Sequence, residues 1–285
     1  MFVRGKRIFI DVVNHFNASD GWAMASHVTL SMIMALFPFL IFATSLAGFL
    51  GYEAQSDAIV DLVFETWPDE VARPIVQEIN TVLAGRHAGF LSLGIGLAVF
   101  FASNGVEAVR MALSRAYRAT ENRSFIHCRL QSLLFVFCGA VVLFMVSFLM
   151  VFAPYFYSFA ARSMPELAEY EAILLIMRFV LSIGALMFAV FACHAWLPAG
   201  RRPVSELWPG ILVTLILWIT VASLFAAYLR GFADYSATFA GLAGIMTAQI
   251  FLYLMAVILV LGGELNAALL KDRQLAPVDS RPAKV

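Results

Sequence analysis

Six long apolar stretches constrain this chain more than any other feature. They run over about residues 22–51, 88–110, 130–161, 172–196, 204–229 and 238–266. The hydrocarbon core of a bilayer takes about 20 apolar residues per helix, and backbone polar groups inside it must be satisfied within the segment. The stretches therefore predict an all-α fold, a polytopic membrane helix bundle with six transmembrane helices. Composition agrees: only 13% of residues are charged, against roughly 25% in a soluble domain. Pro38 sits inside the first stretch and should kink it.

Two flanking segments read as amphipathic helices. In residues 5–17, Ile8, Phe9, Val12, Val13 and Phe16 form one stripe, with Asp11 and Asn14 off it. That pattern suits a helix in the headgroup layer, and equally a helix packed on the bundle. No continuous apolar run follows Arg4, Lys6 and Arg7, so no cleavable signal peptide is expected. Residues 53–86 carry two apolar stripes separated by Trp67-Pro68, which predicts an outer cap of two short helices. Residues 1–270 then form one transmembrane domain, and residues 271–285 a disordered cytoplasmic tail.

Charge sets the orientation. With both termini inside, fourteen of the nineteen lysines and arginines fall on the cytoplasmic side, and seven acids fall in the outer 53–86 segment. Cytoplasmic loops of membrane proteins carry this excess of lysine and arginine, so the expectation is that both termini are cytoplasmic.

Ionisable and strongly polar residues inside spans are functional candidates. Ser103, Glu107, Arg110 and Ser114 share one helix face at i, i+4, i+7 and i+11. If Arg110 marks the inner interface, Glu107 is about 4.5 Å and Asn104 about 9 Å deeper, at 1.5 Å per residue. His27 opens the first span, His194 closes the fourth, and Glu264 with Asn266 closes the sixth. Together these suggest a polar cytoplasmic vestibule lined by Asn104, Glu107, Arg110, Glu264 and Asn266. The competing reading is that each group caps its own helix, with Glu107–Arg110 a surface i, i+3 pair. Arg178 either snorkels to the outer interface or binds an anionic group. Gln249 is the deepest strong hydrogen bonder and should face another helix.

No HExxH, GxSxG, Walker or dinucleotide-binding pattern occurs, and the three cysteines and five histidines show no ligand spacing. No catalytic residue, metal or cofactor is expected. Net charge is zero, and the basic segment 110–129 is read as a topology and lipid-contact loop, so nucleic acid is not an expected partner. The expected partners are membrane lipids, with a second copy of the chain or an envelope protein as further candidates.

Several separated blocks resemble the YihY/BrkB family of bacterial inner-membrane proteins, once mislabelled as a membrane ribonuclease BN. The blocks are Met24-Ala25-Ser26-His27 with Leu36-Phe37-Pro38, Ser103-Asn104-Gly105 through Tyr117, Leu197-Pro198 with Pro209-Gly210, and Leu261-Gly262-Gly263-Glu264-Leu265-Asn266-Ala267. Arg178 falls where members often have an arginine. Ser114 stands where members usually have asparagine, Phe239-Ala240 where they often have Tyr-Gly, and Gly263 where they commonly have alanine. The resemblance implies a six-helix protein linked to envelope integrity, with transport of a lipid or envelope component suspected. Two readings stay open: a transporter of a lipid-like or small amphipathic solute, and a scaffold or assembly factor that moves nothing. An enzyme is a third, without supporting chemistry in these residues.

Overall fold

The computed structural model describes residues 2–49, 88–147, 157, 171–200, 202–231 and 242–275. Among the described residues the structure is helical and contains no strand. The helices are α1 (Phe2–Ala18), α2 (Gly21–Phe49), α3 (Ala88–Ala116), α4 (Phe125–Ser147), α5 (Glu171–Trp196), α6 (Trp208–Gly231) and α7 (Leu242–Leu275), with a 3₁₀ turn at Val204–Glu206. Five of them, α3 to α7, are long and apolar enough to cross a membrane; α2 is apolar over Gly21–Leu36 and stays helical to Phe49. The outer cap expected at 53–86 lies outside the described residues, as does the tail beyond 275.

From α2 onward each helix packs on the next in chain order, and α7 closes the ring onto α2. α3 and α7 also meet across the bundle. These two are the central helices: 39% of each apolar window is buried, against 11% for α4 and α5. Their small and apolar side chains (Ala108, Ala112, Leu113 and Ala116 on α3; Val260 and Ala267 on α7) fill the core with Leu207, just before α6, and Ile211 of α6. α1 lays part of its stripe onto this bundle by burying Val12 and Phe16, while Phe9, on the same stripe nearer the N-terminus, is 68% exposed.

Several element boundaries differ from the sequence expectation, each for a local reason. α6 begins at Trp208 because Pro203 holds an extended backbone and the 3₁₀ turn intervenes. Pro209 then falls in the first helical turn, where its missing N–H would have no helical partner anyway. α7 runs on to Leu275, into the segment expected to be a tail, because Lys271 and Asp272 find partners on α1. Pro38 is buried inside α2, which remains one continuous helix across it.

Two turns fix the geometry of one end of the bundle. After α3, Arg118 takes a left-handed φ of 57°, and the Ala119 and Arg118 N–H groups bond to the carbonyls of Ser114 and Arg115. This is a Schellman closure with arginine where glycine is usual, at a cost of roughly 1 kcal/mol. It presents Tyr117 inward. Between α1 and α2, Asp20 is left-handed in the same way (φ 56°) and turns the chain so that His15 and Ser19 face α7.

Candidate functional site

Polar groups that the sequence scatters over 250 residues gather at one end of the bundle. On α7, Glu264 and Asn266 are both fully buried, yet they face different neighbours. Residues two apart on a helix point to nearly opposite sides. Glu264 faces α1: Nδ1 of His15 lies 2.8 Å from both carboxylate oxygens, and the Ser19 hydroxyl donates at 3.3 Å. An isolated carboxylate in an apolar interior is costly, and here the only direct partners among the described residues come from α1 and its turn.

Asn266 faces the other way, into a network where every hydrogen-bond direction can be worked out. Its side-chain oxygen accepts the Gly210 N–H at 2.7 Å. Its amide donates to the Leu207 carbonyl and to the Tyr117 hydroxyl, both at 2.9 Å. The phenol thus accepts from Asn266 and keeps its own hydrogen for Nδ1 of His194, 2.9 Å away. Neutral His194 must then carry its ring proton on Nε2. That Nε2 is buried without a partner, as is the Thr214 hydroxyl. Burial pushes the Tyr117 phenol up to about 12, so it remains the neutral donor this arrangement needs. The Arg202 guanidinium covers the Tyr117 ring from the loop before the 3₁₀ turn at 4.1 Å, a cation–π contact.

Close helix approach makes the network possible. A Cβ at Gly210 would lie 2.1 Å from the Gly262 carbonyl oxygen, and one at Gly262 would lie 2.1 Å from the Thr214 hydroxyl. Only glycine at these two positions lets α6 and α7 meet with Asn266 between them.

A third assembly is charged. Arg110 pairs with Glu107 and with Glu121, Ser132 of α4 donates to Glu107 at 3.1 Å, and Arg129 donates to Asn104 at 2.7 Å. Arg123 grips Glu121 through two nitrogens at 2.8 Å and donates to the Leu197 carbonyl at 2.9 Å. Its hydrogen bonds hold the Glu121 carboxyl down to about 2. A further set ties α1 to α3 and α7 through Asp11, which pairs with Arg118 and Lys271. Burial would raise the Asp11 carboxyl, but hydrogen bonds from Lys271 and Arg118 bring it below its ordinary value.

The five residues expected around one vestibule thus take partners in four separate sets. Glu107 and Arg110 join each other, Asn104 joins Arg129, Glu264 joins α1, and Asn266 joins Tyr117 and α6. Ser114, on the same face as Arg110, accepts the Ala199 N–H at 3.2 Å. Arg178 is half-buried on α5, stacked over its neighbour Phe179, with Nε buried and unpartnered. Gln249 is exposed on α7 and lines a recess against α2. Sequence reasoning missed His15, Ser19, Tyr117, Thr214 and Arg202. Two signals were present: Tyr117 ends the polar block of α3, and Gly210 sits in a Pro-Gly pair at a helix start.

Comparison with known proteins places this architecture. Residues 12–284 match the family described as Virulence factor BrkB. The chain belongs to the BrkB family. Among its relatives is the ribonuclease-like protein YfkH of Bacillus subtilis (strain 168), 29% identical over 266 residues, covering 93% of this chain and 96% of YfkH. Another is the UPF0761 membrane protein PSHAa0171 of Pseudoalteromonas translucida (strain TAC 125), 24% identical over 254 residues, covering 86% of this chain and 80% of that protein. No solved structure matches the chain. This BrkB-family chain is a membrane protein with several apolar helices. Among the described residues no group of three or more histidines, cysteines, aspartates or glutamates could hold a metal.

Proposed function

We propose that this BrkB-family protein is a bacterial inner-membrane transporter of a lipid-like or small amphipathic solute that serves envelope integrity. In this reading α2 is the sixth span and both termini are cytoplasmic. The orientation is supported by the crowding of Arg4, Arg7, Arg110, Arg118, Arg123 and Lys271 into ion pairs at one end of the bundle, as the excess of basic residues in cytoplasmic loops leads one to expect. Membrane lipids are its partners, and a second copy or an envelope protein is a further one.

The observation that carries transport is Glu264. It is a fully buried carboxylate on a central helix whose direct partners come from α1, a separate amphipathic helix lying across the bundle end. A bundle that only needed to hold together would bury an apolar side chain there at lower cost. In this reading the contact between Glu264 and α1 is a gate that parts when α1 lifts. The scaffold reading draws on a different observation, the exposed apolar side of α1 at Phe9 and Ile10. Reconstitution in proteoliposomes with a short-chain fluorescent diacylglycerol separates the two. For a transporter, Glu264→Gln combined with Glu107→Gln cuts flux at least tenfold with the helix content unchanged. A scaffold tolerates the pair, and flux is then no different from protein-free vesicles.

A further inference from the structure

Between α2 and α7 lies a recess of about 280 Å³ lined by Ser26, Thr29, Met246, Gln249, Ile250 and Tyr253. We propose that it is a binding site for the neutral, hydroxyl- or carbonyl-bearing head of an amphipathic molecule, with the tail lying along the exposed Met246 and Ile250. This rests on the transport reading for its purpose, though not for the binding itself.

The recess has a defined hydrogen-bonding character. Ser26 and Thr29 donate their hydroxyl hydrogens to the carbonyls four residues back, at 3.1 and 2.8 Å, and so offer lone pairs to the recess. Opposite them, Gln249 and Tyr253 stand one turn apart on α7. Neither the Gln249 amide nor the Tyr253 hydroxyl has a hydrogen-bond partner among the described residues. Together the four side chains can give and receive hydrogen bonds, and none of them is charged. An ionised group placed here would be desolvated with no counter-charge. A bare hydrocarbon would leave the amide unsatisfied. A hydroxyl or ester carbonyl answers both requirements.

Depth and size narrow the ligand further. Gln249 lies fifteen residues from Glu264, about 22 Å along α7 at 1.5 Å per residue, so water does not serve it as it would at the helix end. The volume is just under the range of roughly 300–1,000 Å³ typical of small-molecule pockets, enough for a head and not for a whole lipid. Met246 and Ile250, 59% and 51% exposed, flank the opening.

The test uses the full-length protein in phosphatidylcholine nanodiscs with two photoreactive probes of identical acyl chains, one a diacylglycerol and one a phosphatidylglycerol. The diacylglycerol should label residues 246–253 or 26–29 at least tenfold more than the anionic probe does. Gln249→Leu and, independently, the near-isosteric Thr29→Val should each reduce that labelling several-fold. Gln249 is exposed, so its replacement leaves the core untouched. Equal labelling by both probes, preference for the anionic one, or labelling unchanged in both variants would overturn the site. Selective labelling without flux removes the transport reading and leaves the site standing; flux without selective labelling does the reverse.

Discussion

Two polar assemblies stand at the same end of this bundle and are built on opposite principles. Around α7, Asn266, Tyr117 and His194 form a neutral network that is wholly buried, with Gly210 and Gly262 pressed together beside it. Around α3 and α4, Glu107, Arg110, Glu121 and Arg123 form a charged lattice that solvent partly reaches. In the first, each hydrogen bond has a fixed direction with no substitute partner beside it, and the helix separation is set by the absence of two Cβ atoms. In the second, Glu121 is shared between Arg110 and Arg123, and Arg110 between Glu107 and Glu121, so the loss of one contact leaves another. The neutral side fixes shape, and the charged side fixes the α3–α4 turn. Substitution should therefore be far more damaging on the α7 side.

The largest effect is expected at Gly210. An alanine Cβ there meets a backbone oxygen at 2.1 Å, so α6 must move off α7. Overpacking of this kind costs about 1–3 kcal/mol and sometimes more; Gly210→Ala should sit at the upper end and lower the Tm in detergent by many degrees. Next comes Tyr117→Phe, which keeps the ring under Arg202 but strands Nδ1 of His194 and one Asn266 amide hydrogen. Each stranded buried group costs roughly 1–3 kcal/mol, and Tm should fall clearly, though less than for Gly210→Ala. If Tyr117→Phe were silent while a change at Glu107 was severe, the ranking of the two assemblies would be reversed.

The charged side should instead show itself in acid. The Glu121 carboxyl is held at about 2, from an ordinary value of 4.5, chiefly by Arg123. A depressed value means that its stabilising contribution is complete above about pH 4.5 and is lost as the pH falls toward 2. In parallel melts between pH 6 and 2, Glu121→Gln should start slightly less stable than the parent and converge on it at the acid end. A constant gap across that range would remove Glu121 from the lattice.

Much of this could be read from the residues, and the limits have physical causes. Apolar runs are legible because lipid tolerates little else, and the Glu107–Arg110 contact follows from i, i+3 spacing on one helix. Glu264 and Asn266 are adjacent along α7 but face different sides, because distance along a helix and direction around it are separate questions and spacing of two residues answers the second. His15 was not legible as the partner of Glu264, since the contact spans 249 positions and depends on the turn at Asp20. The same holds for Asp272 and α1: the end of α7 looks like a polar tail until Arg4 and Arg7 are laid beside it. Gln249 stands out in the sequence as a polar residue inside an apolar run, whereas the recess it lines exists only once α2 and α7 are packed.

The gate itself is tested most directly by tying it shut. Asp11 of α1 and Lys271 of α7 are salt-bridged at 2.6 Å, so Asp11→Cys and Lys271→Cys, in a chain whose three native cysteines are replaced by alanine, can be joined by a short cleavable bis-thiol linker. If α1 must leave α7 for a solute to pass, flux of the fluorescent diacylglycerol stops on cross-linking and returns when the linker is cleaved. Flux that continues at full rate through quantitatively cross-linked protein would contradict the gate.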